Sequence, residues 1–571
     1  MTEFRKSMTG AAPLTLAAAL GLLHAASFAP WGYWWGHLVV LAGFAGLIHF
    51  LIRSSRRPGF VALAGLCFGV GWFLAGVGWL FVSMHTYGEM PAPLALLALV
   101  LFAAYLALFP AAAVWATASL HTPPAMLPTQ RPGLSRGRPL VPALPFALTF
   151  AATLTLADLA RGHLFTGFPW LATGYAQVDG PLAGFAPLGG SYAVGFAACL
   201  VAALLATSFH HLRSAAGVAP SVPALLVITA ALAGGGAAKS VVWGQPAGNP
   251  LKVRLLQGNV PQQLKFDPRV TRQTLQRYLE LIEAEPADLI VLPETAWTVP
   301  WSSTPPEIAD RLERFIRSTG SAVAIGIPLN TAAIPAGDSP DGDRPDGDRP
   351  GSGQGVDRPA LPTNSVILYD RAVYAAGKPP TRYDKHHLVP FGEFVPWGFR
   401  WFVDLMTIPL GDFGRGSPVQ PPFAVGAQRI AFNICYEDVF GEELLPALRG
   451  GEGATILANV SNIAWFGDSH ALPQHLQIAR MRTIETSRPM IRATNTGVTA
   501  AIDFDGRVIG ALPPYQLGAL SATVQGRSGL TPYARSGNWP IATLSLLILL
   551  ASWLHSFYTR YAPGGAPRQT R

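Results

Sequence analysis

Long stretches without a charged side chain constrain this sequence more than any other feature. Residues 7–52 contain no Asp, Glu, Lys or Arg, and about 20 apolar residues suffice for a helix to cross a bilayer. The first 250 residues hold four acidic and eleven basic side chains, whereas the other 321 residues hold the remaining 59 charged side chains. Only 13% of the residues are charged, against about 25% in soluble globular proteins. The sequence therefore predicts a membrane-embedded first part and an aqueous second part.

Eight apolar stretches are predicted to span the membrane. A cleaved signal peptide is the competing interpretation of residues 1–29, but further apolar spans follow at once. Residues 161–190 are apolar and rich in Gly and Pro, which is typical of a re-entrant or interfacial stretch. The predicted spans cover residues 11–29, 34–52, 60–82, 93–118, 141–158, 191–209, 221–238 and 539–557.

The basic residues of the short loops predict the orientation. Arg and Lys cluster at 5–6, 53–57, 131–138, 213 and 560–571. All of these fall on one side of the membrane, and cytoplasmic loops are enriched in Lys and Arg. This distribution also explains the high isoelectric point without a nucleic-acid partner. We expect a membrane domain with about seven spans at 1–249, an extracytoplasmic domain at 250–527, and a final span with a cytoplasmic tail at 528–571.

The aqueous part alternates predicted strands and helices, which favours helices packed on sheets. Strands are predicted at 253–257, 289–292, 322–327, 365–369, 429–434 and 455–458, with a hairpin at 498–512. Helices are predicted at 271–285, 305–318 and 470–486. Residues 331–362 are polar, rich in Pro and Gly, and contain a direct repeat, so they are predicted to be a disordered insertion.

Three side chains are candidates for chemistry, and two of them, Glu294 and Cys435, lie at predicted strand ends. Cys435 follows an apolar strand, where a thiol is well placed for nucleophilic attack, although a buried structural cysteine is equally compatible. Glu294 could act as a general base or be a turn residue at the surface. Lys385 could lower a thiol pKa or hold an oxyanion, or it could be a solvated lysine.

Other catalytic patterns are absent from the sequence. It has no Gly-x-Ser-x-Gly elbow, no Walker A loop and no His-Glu-x-x-His segment. The three cysteines, of which only Cys435 lies in the charged part, exclude a disulfide framework. His470 and His475 are poorly spaced for a shared metal ion, so no metal site is predicted.

The order and spacing of Glu294, Lys385 and Cys435 resemble the Glu-Lys-Cys triad of the nitrilase (carbon–nitrogen hydrolase) superfamily. The eight spans narrow the resemblance to a membrane-embedded branch of that superfamily, the bacterial apolipoprotein N-acyltransferases. This resemblance extends over nearly the whole chain and implies an αββα sandwich beside a polytopic α-helical membrane domain. The motifs that carry it lie at 166–170, 257–262, 385–393, 434–437 and 464–469.

The resemblance implies an acyltransferase that works through a Cys435 thioester without a metal or organic cofactor. A phospholipid would donate the acyl chain, and the acceptor would be the α-amino group of an N-terminal S-diacylglyceryl-cysteine of an apolipoprotein. Localisation in the bacterial inner membrane, with the catalytic domain in the periplasm, is implied as well. The implied roles are general base for Glu294, oxyanion donors for Lys385 and the Tyr436 N–H, and supporting roles for Glu393, Glu437 and Asn364.

Aromatic residues are predicted to contact the lipid substrates. Residues 395–413 place several aromatic side chains in an otherwise polar domain, which favours the membrane interface, although an internal flap remains open. Two positions depart from the family pattern, Phe266 in place of Trp and Ile463 in place of Asp. The predicted substrate-binding residues are Phe266, Trp401, Phe402, Trp465 and Phe466.

Two other functions remain open from the residues alone. A membrane-anchored amidase or nitrilase would use the same three residues with water as the second nucleophile. A membrane scaffold would contain the three residues for structural reasons only, and its cysteine would resist alkylation.

Overall fold

A computed structural model describes residues 10–121, 143–212, 221–330, 361–377, 379–403 and 412–561. Nearly all of the predicted insertion at 331–362 lies outside these residues, as do the basic clusters at 5–6 and 131–138 and the tail beyond 561. The last residue of the predicted insertion, Pro362, already begins a strand.

Eight apolar helices occupy the positions of the predicted spans. Six of them, α2–α6 and α14, are long and apolar enough to cross a membrane, whereas α1 and α7 are shorter. The prediction of about eight spans is therefore matched by eight helices of unequal length. They are α1 (Ala12–Ala25), α2 (Trp34–Arg53), α3 (Pro58–Gly76), α4 (Ala92–His121), α5 (Ala143–His163), α6 (Ala186–Leu212), α7 (Val222–Ala238) and α14 (Trp539–Tyr561).

The segment between α5 and α6 replaces regular helix with buried short turns. It contains 3₁₀ turns at Thr173–Gln177 and Pro181–Phe185. Arg161 holds this segment in place, since its guanidinium donates to the Trp170 carbonyl at 2.8 Å and pairs with Asp158 at 3.0 Å. Asp158 in turn accepts hydrogen bonds from the N–H and the hydroxyl of Thr173. The Asp158–Arg161 ion pair thereby fixes irregular backbone inside the helical bundle.

The aqueous part forms two six-stranded sheets that pack face to face. The first sheet has the strand order β13-β2-β3-β4-β5-β6 and the second has the order β12-β11-β10-β9-β8-β7. The first-sheet strands are β2 (Leu251–Gln257), β3 (Leu289–Val291), β4 (Ala322–Asn330), β5 (Pro362–Tyr369), β6 (Thr381–Asp384) and β13 (Gly518–Val524). The second-sheet strands are β7 (Phe423–Val425), β8 (Gln428–Ile434), β9 (Ile456–Ser461), β10 (Met490–Thr494), β11 (Thr499–Ile502) and β12 (Val508–Leu512). A two-stranded sheet of β1 (Gln245–Pro246) and β14 (Arg527–Ser528) joins the two ends of this part.

Helices cover the outer faces of both sheets and complete the αββα sandwich. Amphipathic α8 (Pro268–Glu283) and α9 (Pro306–Thr319) pack on the first sheet through apolar residues three or four positions apart. Helix α12 (Ala471–Thr486) covers the second sheet. The described residues after 250 also contain three short helices, α10 (Arg371–Ala376), α11 (Arg400–Val403) and α13 (Pro532–Ser536). The predicted fold class is confirmed, although β1, β6, β7, β10, β13 and β14 were not predicted.

Helix α12 also docks the sandwich onto the membrane helices, so both of its sides are buried. The side-chain oxygen of Gln474 accepts hydrogen bonds from the indole N–H groups of Trp79 at 3.1 Å and Trp170 at 2.8 Å. Its amide N–H donates to the Gly76 carbonyl at 3.2 Å. One glutamine thereby links the sandwich to α3, to the turn after it and to the irregular segment.

Candidate active site

Glu294, Lys385 and Cys435 follow three different strands, and the fold brings them together. Glu294 lies just beyond β3, Lys385 directly after β6, and Cys435 directly after β8 of the opposite sheet. The Lys385 ammonium lies 3.5 Å from a Glu294 carboxylate oxygen. The charges of both side chains influence the pKa of the Cys435 thiol. The two sheets thus meet at one cluster of ionisable groups.

Asn364 and Glu393 complete the first group of contacts. The Asn364 amide donates to Glu294 at 2.7 Å and to Glu393 at 2.8 Å, and Lys385 donates to the same Glu393 oxygen at 2.9 Å. The second Glu393 oxygen accepts the Val389 N–H at 2.8 Å. The second Glu294 oxygen accepts the N–H of Asn462 at 2.7 Å. Both carboxylates are therefore fixed at each oxygen, which restricts their motion in the site.

Cys435 occupies a left-handed backbone conformation, with φ of 54°. It begins the 3₁₀ turn Cys435–Val439, and its carbonyl accepts the Asn459 amide N–H at 3.1 Å. A non-glycine residue in this region is strained, and such strain persists where surrounding contacts determine it, often at active sites. The residue is partly exposed, and its side chain packs against the core between the two sheets. The turn therefore holds the cysteine directly at the end of the strand.

Glu437 ties the cysteine turn to the lysine loop. One of its oxygens accepts the N–H groups of His386 at 2.7 Å and His387 at 3.0 Å. The other accepts the Ile434 N–H at 2.6 Å and the Tyr383 hydroxyl at 2.8 Å. The residues before Cys435 and after Lys385 thus share one buried carboxylate, which fixes the distance between the two loops.

The resting charges follow from burial and from these contacts. Burial and the Glu294 charge raise the pKa of the Cys435 thiol to about 12, although Lys385 acts in the opposite direction. Burial alone would raise the pKa of Glu294, but Lys385, Lys265 and two hydrogen bonds together lower it. Glu393 and Glu294 raise the pKa of Lys385 despite its burial. The site accordingly holds a thiol beside a carboxylate and an ammonium.

The aromatic residues predicted to bind substrate lie around this cluster. Phe266 and Trp401 are largely exposed. Phe402 packs on Phe391 with ring centres 5.3 Å apart, and Phe391 lies on the loop that carries Glu393. Within residues 395–413, positions 404–411 lie outside the described residues.

Trp465 and Phe466 follow Asn462 in the turn after β9. Trp465 meets Tyr87 at 6.1 Å, and Phe466 meets Trp79 at 4.4 Å. Both therefore face the loop after α3 on the membrane side. Ile463, in the same turn, is buried and lies against Gly497.

Both halves of the chain match known families. Residues 20–204 match the apolipoprotein N-acyltransferase N-terminal domain, and residues 252–533 match the carbon-nitrogen hydrolase family. An apolipoprotein N-acyltransferase of Ralstonia nicotianae is 46% identical over 95% of this chain and 93% of its own length. An apolipoprotein N-acyltransferase of Bordetella bronchiseptica is 44% identical over 98% of both chains.

This chain belongs to the apolipoprotein N-acyltransferase family. An amidase of the nitrilase superfamily from Nesterenkonia has a similar structure with a TM-score of 0.33 and 16% identity, covering 52% of this chain and 98% of the amidase.

Sequence reasoning missed several residues of the cluster. Asn459 lies on β9 and Asn462 directly after it. The two amide side chains at the end of an apolar strand are the sequence feature that could have identified them. Behind the cysteine turn, Asp438 binds His475 at 2.7 Å and Arg492 at 2.7 Å, and all three side chains are buried. No sequence pattern relates these three positions, because β10 and α12 meet the turn only in the folded sandwich.

Proposed function

We propose that this member of the family transfers an acyl chain from a phospholipid to the α-amino group of the N-terminal S-diacylglyceryl-cysteine of apolipoproteins. The observation that carries the proposal is a partly exposed cysteine on a strained turn, beside a fixed carboxylate and ammonium, in a sandwich docked on apolar helices. A lipid ester and a lipid amine can both approach such a site from the bilayer.

In the first half-reaction, the Cys435 thiol gives its proton to Glu294 and the sulfur forms a bond to the ester carbonyl carbon. Lys385 and the Tyr436 N–H stabilise the oxyanion. The C–O bond then breaks, Glu294 returns the proton to the departing alkoxide, and a lysophospholipid leaves. Cys435 now carries the acyl chain as a thioester.

In the second half-reaction, the acceptor amine attacks the thioester carbonyl and transfers a proton to Glu294. The C–S bond breaks, the thiolate recovers the proton, and an amide remains on the acceptor. A covalent intermediate allows one pocket to serve two lipids in turn. Glu393 orients Lys385, Asn364 orients Glu294, and Glu437 holds the two loops together. Phe266, Trp401, Phe402, Trp465 and Phe466 form the proposed lipid contacts.

Mass spectrometry of the full-length protein tests the mechanism. Incubation with phospholipid alone should add one acyl mass to the peptide that contains Cys435, and hydroxylamine should remove it. A diacylated lipopeptide with a free amine should discharge the adduct, whereas an N-blocked lipopeptide should not. Cys435→Ala should carry no adduct. An adduct on another residue, or discharge by water as fast as by the amine, would contradict acyl transfer, and the second result would favour an amidase.

We also propose that the protein lies in the bacterial inner membrane with the sandwich in the periplasm. The basic loop residues support this orientation through their preference for the cytoplasm. A reporter that is active only outside the cytoplasm should be active when fused at Gly351 and inactive when fused at Arg136. The opposite pattern would invert the topology.

A further inference from the structure

Lys265 reverses the usual relation between polarity and exposure. Its apolar neighbours Leu264 and Phe266 are 44% and 48% exposed, whereas the Lys265 side chain is only 3% exposed. Lysine is almost never fully buried unless it is paired. The turn before α8 therefore directs a cation into the sandwich and leaves two apolar side chains outside.

The environment of the buried ammonium points to the active site. Its nitrogen donates to the backbone carbonyl of Glu294 at 2.9 Å. Among the described residues, no other hydrogen bond and no carboxylate within ion-pair distance is found for it. Its electrostatic partners are the Glu294 carboxylate and the Cys435 thiol. Lys265 thus contacts the backbone of the proposed base and lies within electrostatic reach of the nucleophile.

The charges of the cluster show what this ammonium contributes. Glu294 and Glu393 are negative and Lys385 is positive, so these three groups leave one excess negative charge beside the thiol. Moving the thiol proton onto Glu294 shifts that charge but does not remove it. Lys265 places a second cation near these groups, and its charge offsets that negative charge in both states. Arg492, behind the turn, is already paired with Asp438 and bonded to His475.

We propose that Lys265 is a positioning residue of the acyl-transfer site, which holds the Glu294 backbone and supplies a second positive charge that favours the Cys435 thiolate. This inference rests on the proposed function and adds to it a residue that acts through Glu294 and Cys435. The Glu-Lys pair of the site is thereby extended to a carboxylate between two lysines.

Burial lowers the pKa of Lys265 to about 7, while Glu294 and Cys435 act in the opposite direction. Its charge is therefore present below about pH 7 and declines above it in the resting protein. A thiolate forming nearby stabilises the ammonium, so the two ionisations assist each other. The other ionisable groups that influence the thiol are Glu294, Lys385, Glu393 and Arg492.

The pH dependence of Cys435 alkylation tests the charge directly and requires neither lipid substrate. The full-length protein in detergent, with Cys67→Ala and Cys199→Ala, reacts with iodoacetamide at pH 6 and at pH 9, and mass spectrometry follows the peptide of Cys435. Lys265→Met and Lys265→Gln should slow the reaction about tenfold at pH 6, where Lys265 carries its charge, because a nearby opposite charge lowers an acid pKa by about 1–3 units. The difference from the wild type should shrink at pH 9, where that charge has declined. Lys265→Gln retains an amide donor and therefore separates the charge from the hydrogen bond.

Two further variants complete the test. Lys265→Arg keeps the charge and should keep the wild-type rate at pH 6, and Lys252→Met, at an exposed position of β2, should not change it. An unchanged rate at pH 6 in a folded Met or Gln variant overturns the proposal, as does an Arg variant slowed as far as the Met variant. Failure of all three Lys265 variants to fold also overturns it, since the lysine would then serve the fold. Slower alkylation at pH 6 in a protein that forms no acyl adduct contradicts the proposed function and leaves the charge assignment standing.

Discussion

The membrane helices and the αββα sandwich place apolar and charged side chains in opposite ways. On the helices, large apolar residues face outward, as Leu101 does with 61% exposure and Leu547 with 57%. In the sandwich, Lys385, Glu294 and Lys265 are 1%, 7% and 3% exposed. The first arrangement suits a lipid exterior, and the second isolates charges from water so that they act strongly on one another. The same chain therefore contains one region suited to lipid and one suited to water.

The seam between these regions, where α12 contacts Tyr175 and α6, differs from both of them. It buries polar groups that bind one another. Arg482 of α12 pairs with Glu485 at 3.0 Å and donates to the Tyr175 hydroxyl at 3.1 Å. Glu485 also accepts the Ser191 N–H of α6 at 2.6 Å. These buried contacts should therefore contribute strongly to the stability of the whole protein.

The largest expected effect on stability is at the seam. Arg482→Met leaves Glu485 buried without its cation, and breaking a buried pair costs about 3–5 kcal/mol. Arg480→Met, two residues away on the same helix, removes a partly exposed pair with Asp179 and should cost about 0–1 kcal/mol. Chemical denaturation in detergent measures both. Equal losses would show that burial at the seam carries no special weight.

The same variant has a defined pH dependence. Burial raises the pKa of Glu485 to about 7 despite Arg482, so ionisation of Glu485 weakens the wild-type protein between about pH 4.3 and pH 7. Without Arg482 the pKa should rise further, and the variant should continue to lose stability above pH 7. The free-energy gap between variant and wild type should therefore widen from pH 7 to pH 9. A constant gap would contradict coupling between the two residues.

The largest expected effect on activity lies in the charge cluster of the sandwich. Lys385→Ala removes the proposed oxyanion donor, and loss of such a donor costs roughly 2.7–4 kcal/mol, or about 10²–10³ in the rate of Cys435 acylation. Lys252→Ala, at an exposed position of the same domain, should leave the rate unchanged. Single-turnover acylation followed by mass spectrometry gives both rates. A loss below fivefold for Lys385→Ala would remove this lysine from the proposed mechanism.

Two positions with equal exposure test the difference between the two exteriors. Leu101 on α4 and Val419 on the sandwich are both 61% exposed. Leu101→Arg should impair membrane insertion, since an arginine within a span costs about 2.5–3.5 kcal/mol on insertion scales, whereas Val419→Arg should be nearly neutral. Extraction at high pH measures the inserted fraction. Similar behaviour of the two variants would argue that α4 does not face lipid.

The smallest expected effect concerns the aromatic segment, where the sandwich itself would meet lipid. Trp401 is 63% exposed, so Trp401→Ala should change stability by no more than about 0.5 kcal/mol. We expect acylation by phospholipid to slow several-fold, because the proposed interfacial contact is lost. Val419→Ala serves as the control for an exposed apolar side chain elsewhere. Unfolding of Trp401→Ala would identify the segment as core and remove its proposed lipid contact.

Residues close in the sequence predicted most of the fold. The uncharged stretches located all eight apolar helices, because the length and composition of a span are local properties. Strands β2, β3, β4 and β8 were predicted because both of their faces are buried and they appear as continuous apolar runs. Strand β13 was missed because most of its residues are small or polar. Strand β6 was missed because it is short and half exposed.

The sequence by itself determined that Glu294 and Cys435 end strands, since an apolar run followed by Glu or Cys is visible without a structure. Only the tertiary structure decided that Asn364 bridges Glu294 and Glu393, that Glu437 joins the Lys385 and Cys435 loops, and that Lys265 is turned inward. Each of these contacts joins strand ends or loops that are far apart along the chain. Their geometry depends on strand register and on the packing of the two sheets, which no local pattern specifies.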